Sequence, residues 1–294
     1  MGRRTPVWLS FLLGGMVFAV GCGGPPAALS PMQKGLRAYE RGHTEAAVAA
    51  FRQAVAKEPK NLVAKTNLAL TLQDMGRHEE ALALYEELIR QQPASPLPFI
   101  NKAVCLRELG RMDEALAALT DVDSRWPASP YPAFNRGLVY EEQGLWEQAL
   151  EAHQEAMRRA PHQAVIHYRI GLVYERLDEP EKALQAYTKA LLLKPTDPVA
   201  RLKLGEFYAS RGQYSLAIRE YSKLTVIAPG ASQLYHRLGR LYRKQQRLDK
   251  AVEMYHRALE AQPADEQLHQ ELQEVLHELV HPRRRVLEAV PPAG

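Results

Sequence analysis

An interval of 34 residues constrains this chain more than any other feature. Pro recurs at positions 59, 93, 127, 161, 195, 229 and 263, Ala at 47, 81, 115, 149, 183, 217 and 251, and a small residue at Gly35, Ala69, Ala103, Gly137, Gly171, Gly205 and Gly239. Three independent columns agree in seven copies without an insertion. A fixed period of this length makes each copy one supersecondary unit that buries its apolar face only by stacking on its neighbours. Helix formers such as Ala, Leu, Glu, Gln and Arg dominate, and no Val, Ile or Thr run alternates with period two. Each copy therefore reads as a pair of helices.

The columns have physical causes. The small residue on the first helix and the Ala on the second belong where the two helices cross, because a larger side chain would push their backbones apart. Phe51, Tyr85, Tyr187, Tyr221 and Tyr255 are expected to fill the gap toward the next copy, with Leu119 and His153 as exceptions. Gly42, Gly76, Gly110, Gly144 and Gly212 fall between the helices, where a left-handed cap is cheapest for Gly. Ser30-Pro31-Met32-Gln33 supplies an N-cap, a first-turn Pro and a capping-box Gln. Residues 266–281 form an amphipathic helix with Leu268, Leu272, Val275, Leu276 and Leu279 on one side, the expected C-terminal cap. Pro282 stops it, and residues 282–294 read as a short disordered tail.

This spacing, with a Pro near the end of each copy, resembles the tetratricopeptide repeat (TPR). The resemblance implies an all-α fold: a TPR α-solenoid, a right-handed superhelix of seven helix-turn-helix repeats at 28–61, 62–95, 96–129, 130–163, 164–197, 198–231 and 232–265, closed by the capping helix. The chain departs from the family at the often-Trp position of the first helix, where it has Pro31, Lys65, Phe99, Ala133, His167, Arg201 and Tyr235. Packing between neighbours is expected to be less uniform there.

In this family the first helices line a concave surface. Carried over by repeat position, the lining residues are Leu29, Met32, Leu36, Val63, Leu70, Leu97, Ile100, Val104, Tyr131, Phe134, Leu138, Val165, Tyr168 and Leu172. Such a surface suits a hydrophobic helix or extended segment of a protein partner. Packing between neighbouring first helices, or cover by the chain's own termini, would also account for it. Asn67, Asn101 and Asn135 occupy the position at which family members often hold a bound peptide's backbone. Asp74, Glu108, Glu141 and Glu142 lie in the second to fourth repeats, while Arg169, Lys203, Arg237, Arg240, Arg243 and Lys244 gather in the last three. That basic end would take an acidic segment or a C-terminal carboxylate, unless Glu175 and Glu206 make it an ordinary solvated face.

The N-terminus reads as an export signal over 1–21. Arg3 and Arg4 precede a 14-residue apolar run, Val7 to Val20, too short to span a bilayer. The run ends in Ala19-Val20-Gly21-Cys22, which resembles the lipobox of bacterial lipoproteins. The resemblance implies lipidation of Cys22 and a stable membrane anchor. Residues 22–29 are then a linker, which at roughly 3.5 Å per residue holds the repeats within about 25 Å of the membrane. Gly23 after Cys22 favours the periplasmic face of an outer membrane. Outer-membrane TPR lipoproteins such as the pilotins of type IV pilus secretins look similar in architecture.

The formal charge of +4 falls to +2 once Arg3 and Arg4 are removed, so no nucleic-acid partner is implied. Cys105 reads as a buried thiol. His277-Glu278-Leu279-Val280-His281 matches HExxH, which on a helix places two His for zinc with Glu as base. A zinc metallohydrolase is thus the alternative, but only Glu288 follows as a possible third ligand. Without a phosphate loop, a nucleophile elbow or a paired-carboxylate site, the reading is a non-enzymatic, membrane-anchored scaffold with neither cofactor nor small-molecule substrate, serving assembly or localisation of an envelope complex.

Overall fold

A computed structural model describes residues 29–281. The leader, Cys22, residues 23–28 of the linker, the tail and Glu288 lie outside the described residues. Among those described there are fifteen helices and no strand. Seven antiparallel pairs follow one another: α1 (Pro31–Glu40) and α2 (Thr44–Lys57), α3 (Leu62–Asp74) and α4 (His78–Gln91), α5 (Pro96–Glu108) and α6 (Met112–Arg125), α7 (Tyr131–Glu142) and α8 (Trp146–Arg159), α9 (Ala164–Arg176) and α10 (Pro180–Leu193), α11 (Pro198–Ser210) and α12 (Tyr214–Ile227), α13 (Ser232–Lys244) and α14 (Leu248–Ala261). The single helix α15 (Glu266–Val280) completes the series. The chain divides into two compact units after Arg159, four helical pairs in the first and three pairs plus α15 in the second. The fold is all-α and of the TPR solenoid class.

The helix ends follow from local chemistry. Ser30 and Gln33 close a reciprocal capping box on α1, and Asn61, Asp197 and Asp265 accept first-turn amides of α3, α11 and α15. Each first helix then turns through a left-handed residue. Gly42, Gly76, Gly110, Gly144 and Gly212 take φ between 71° and 75°. The same position in the fifth and seventh repeats is held by Asp178 at 54° and Gln246 at 59°, where the sequence offers no Gly.

The small-residue column has a sharper cause than helix crossing alone. A Cβ placed on Gly35, Gly137, Gly171 or Gly205 would come within 2.4 to 2.5 Å of the ring of Phe51, His153, Tyr187 or Tyr221. These rings sit first on the glycine of their own repeat, not only in the gap toward the next. Their polar ends are satisfied nearby: Tyr85 donates to Gln73, Tyr187 to Glu175 and Tyr255 to Glu271, at 2.7 to 2.9 Å. His153, which replaces Phe or Tyr in this column, is fully buried and meets Glu141 through Nε2 at 2.7 Å.

The often-Trp position shows how this chain replaces an indole. Lys65 is buried and reaches Glu87 on the second helix of its repeat, Arg201 reaches Glu220 at 2.7 Å, and the His167 ring meets the Pro161 carbonyl at 2.8 Å. On α15, Leu268, Leu272 and Val275 are buried, whereas Leu276 and Leu279 remain exposed. The cap covers the last repeat with part of the face expected of it.

Candidate partner-binding surface

In the first unit the helices α3, α5 and α7 carry the expected lining. Burial sorts these residues into a floor and a rim. Ile100, Val104, Phe134 and Leu138 are at most 9% exposed, so they take part in the packing between helices. Ile100 joins Phe99 and Val122 in a cluster edged by Ile89, Trp126 and Tyr131, and the Phe134 ring lies 5.4 Å from that of His153. Packing, weighed above as an alternative, accounts for these four. Leu70 and Tyr131 are half-buried, and Val63 and Leu97 stand out at 39% and 47% exposure. In the second unit Tyr168 and Leu172 are half-buried against the core, with Tyr168 6.0 Å from the Tyr187 ring.

The asparagines also divide. Asn135 donates to the Tyr131 carbonyl at 2.9 Å. Asn67 and Asn101 are buried, and the amide oxygen of each finds no hydrogen-bond partner among the described residues. A buried acceptor left unmade costs roughly 1–3 kcal/mol, which a donor brought to either oxygen would recover. Asn67 is roofed by Met32, whose sulfur lies 4.0 Å from its amide nitrogen.

The basic residues of the second unit are largely engaged by carboxylates. Lys203 lies 3.1 Å from Glu175 and 3.9 Å from Glu206, and Arg237 lies 2.6 Å from Glu206. Arg169 is half-buried. Arg243 is clamped by Glu274 at 2.9 Å and Glu278 at 2.5 Å, and Arg240 reaches Glu271 only at 4.0 Å. Burial raises the Glu271 pKa, but hydrogen bonds from Tyr255, Gln267 and His236 outweigh it, and the carboxyl ends below its ordinary range. The acidic face of α15 thus occupies the stretch expected to receive a partner's carboxylate. An open cleft of about 590 Å³ remains between α13 and α15, bordered by Arg240, Arg243, Glu271 and Glu274.

The HExxH residues do not assemble as that motif requires. His277 and His281 lie with ring centroids 4.7 Å apart and planes tilted by 53° on an exposed face, while Glu278 turns to Arg243 and is held there as an ion pair. A carboxylate neutralised by a guanidinium is a poor base for water. No group of three His, Cys, Asp or Glu that could hold a metal occurs among the described residues. Cys105 is a buried free thiol whose pKa is pushed up to about 12 by burial and by the Glu108 and Glu79 charges.

Sequence reasoning missed an ionic square beneath the third and fourth repeats. Arg136 pairs with Asp123 and Glu155, and Arg159 pairs with the same two carboxylates. Its members, on α6, α7 and α8, are up to 36 residues apart, beyond the reach of any local sequence pattern.

Models of the tetratricopeptide repeat match residues 38–97, 72–133 and 177–236, a second model 131–194 and a third 232–265. No match to a curated protein was found. Among solved structures, YrrB, described as a TPR protein with an unusual peptide-binding site, is 24% identical with a TM-score of 0.52, over 65% of this chain and 97% of that one. The MamA protein is 27% identical with a TM-score of 0.52, over 57% of this chain and 92% of its own. The C-terminal part of a TPR repeat-containing protein from Cytophaga hutchinsonii shares the fold at a TM-score of 0.58 and 18% identity, over 81% of this chain and 98% of that one.

Proposed function

Because the chain belongs to the tetratricopeptide repeat family, whose fold serves as a protein–protein interaction scaffold, we propose that it is a membrane-tethered scaffold that holds an extended segment of an envelope protein against α3 and α5. The observation that carries this reading is the pair of buried acceptors, Asn67 and Asn101, without a partner among the described residues. A segment in polyproline II geometry presents an N–H to the same side every third residue, roughly 9 Å apart, so one segment can offer donors to both helices. Met32 is a flexible roof that can swing from Asn67, and Val63 and Leu97 give the incoming segment apolar contacts. The occupant supplies the missing donors and covers the exposed rim in one step.

Tethering is supported by Ala19-Val20-Gly21-Cys22 and the short basic and apolar leader before it. No described helix is long and apolar enough to cross a membrane, so within 29–281 no segment offers a helical anchor. Placement at the envelope, on the periplasmic face of an outer membrane where the host has one, would suit assembly or localisation of a complex there.

Mass spectrometry of the N-terminal peptide and membrane fractionation test the tether. The expected result is a peptide starting at diacylglyceryl-Cys22 in the membrane fraction, with Cys22→Ser releasing the chain from it. An unmodified Cys22 in a mature chain would reject the anchor.

A further inference from the structure

The turns between the two helices of each repeat share one register, so their charge can be compared position by position. From the end of the first helix to the invariant Ala, windows 39–47, 73–81, 107–115, 141–149 and 175–183 carry net charges of −1, −2, −1, −3 and −2. The sign then reverses. Window 209–217 carries +1 from Arg211, and window 243–251 carries +3 from Arg243, Lys244, Arg247 and Lys250 against Asp249.

Neutralisation differs as well. In the earlier turns Arg77 is met by Glu80 at 2.5 Å, Arg111 by Glu114 at 2.7 Å and Lys182 by Glu179. In the last two, Arg211, Lys244, Arg247 and Lys250 are exposed and lie over aromatic rings instead. Arg211 sits 5.3 Å from the Phe207 ring, Lys244 5.3 Å from Tyr214, and Arg247 and Lys250 4.9 and 5.8 Å from Tyr242. A ring orients a cation without cancelling its charge. Gln245 donates to Ser215 at 2.8 Å and ties the two turns side by side. Lys244 is the one of the four that borders the cleft between α13 and α15.

We propose that this edge of the sixth and seventh repeats docks on an anionic bilayer surface, its four cations meeting lipid phosphates and Tyr214 and Tyr242 lying at headgroup level. A protein interface draws most of its energy from buried apolar or aromatic anchors. None of the exposed large hydrophobic residues falls within 207–217 or 240–251, so apart from the half-buried Tyr214 and Tyr242 the edge offers charge, which suits an array of headgroups better than an acidic protein. Access to a bilayer rests on the tethered reading above, whereas affinity for one does not.

The test is partitioning of the full chain onto vesicles of phosphatidylcholine alone and of phosphatidylcholine with phosphatidylglycerol. Arg3→Gln and Arg4→Gln are carried in every chain tested, because those two cations would themselves favour the anionic vesicle, and the ratio of the two then cancels whatever the apolar leader or a lipid on Cys22 contributes. A cation near an anionic surface is worth roughly fivefold in partitioning, so a preference of at least about tenfold is expected, fading toward 1 M salt. The combined substitution Arg211→Glu, Lys244→Glu, Arg247→Glu and Lys250→Glu should abolish it. The Gln version of all four, which spares the fold from new repulsion, should reduce it below about twofold, and Arg77→Glu should leave it unchanged. Equal partitioning onto both vesicles, or a preference that survives all four substitutions with helicity intact, overturns the proposal, as does binding to an acidic peptide but not to vesicles. A preference found with an unmodified Cys22 upholds the edge and rejects only the tether.

Discussion

The four hairpins before Arg159 and the three after it are built on the same columns, yet they differ at their turns and on their first helices. All four turns of the first unit place Gly in the left-handed region, whereas two of the three in the second place Asp178 and Gln246 there. The first unit buries Asn67 and Asn101 beneath an apolar rim. The second presents cations already engaged by Glu175, Glu206, Glu271, Glu274 and Glu278. The difference teaches that the repeat dictates backbone geometry and ring-on-glycine packing everywhere, and leaves the first-helix face and the turn edge free to specialise.

Breaking the shared packing should have the largest effect. Gly205→Ala would set its Cβ 2.4 Å from the Tyr221 ring and should cost about 1–3 kcal/mol in thermal or denaturant unfolding. Gly239→Ala, with a 3.1 Å contact to Tyr255, should cost less than half as much. Equal losses would show that ring stacking does not set the column.

The charged face of the second unit comes next. The folded pKa of Glu271 is depressed, so its contribution to stability is present above the unfolded value of about 4.3 and lost as pH falls through the folded one. Glu271→Gln should lower stability by about 1 kcal/mol at neutral pH and flatten the decline of Tm below pH 5. An unchanged acid profile would mean that α15 is held by its apolar side alone.

Turn substitutions should be no larger and opposite in sign between the units. Gly144→Ala forces an L residue to a φ of 73° and should cost about 1 kcal/mol, while Gln246→Gly relieves a φ of 59° and should gain a few tenths. Smallest of all is the effect of a thiol reagent. With its pKa near 12, folded Cys105 should stay unlabelled by maleimide at pH 8 until the chain unfolds.

Much of this architecture is legible in the sequence because its causes are periodic. Pro59 and its six equivalents, the Ala47 column and the small-residue column each restate one steric requirement every 34 residues. The left-handed turns at Asp178 and Gln246 escape a search for Gly, although register alone predicts them. The binding surface is harder to read, since repeat position says which way Phe134 or Leu138 points but not how deeply the next helix covers it. The pairing of Arg237 with Glu206 and of Arg243 with Glu278 joins residues 31 to 35 positions apart, for which local sequence carries no signal. Glu278 shows the hazard of a short motif: its HExxH spacing is correct, yet a neighbouring helix decides its role.

Site-specific photo-crosslinking in intact membranes, from a probe replacing Leu97 and from a control replacing the exposed Ser222, tests the partner-binding account most directly. The account predicts a discrete envelope-protein adduct from Leu97 alone, diminished by Asn67→Ala and Asn101→Ala together while the fold is retained. Identical adducts from both positions, or adducts only within the chain itself, would contradict it.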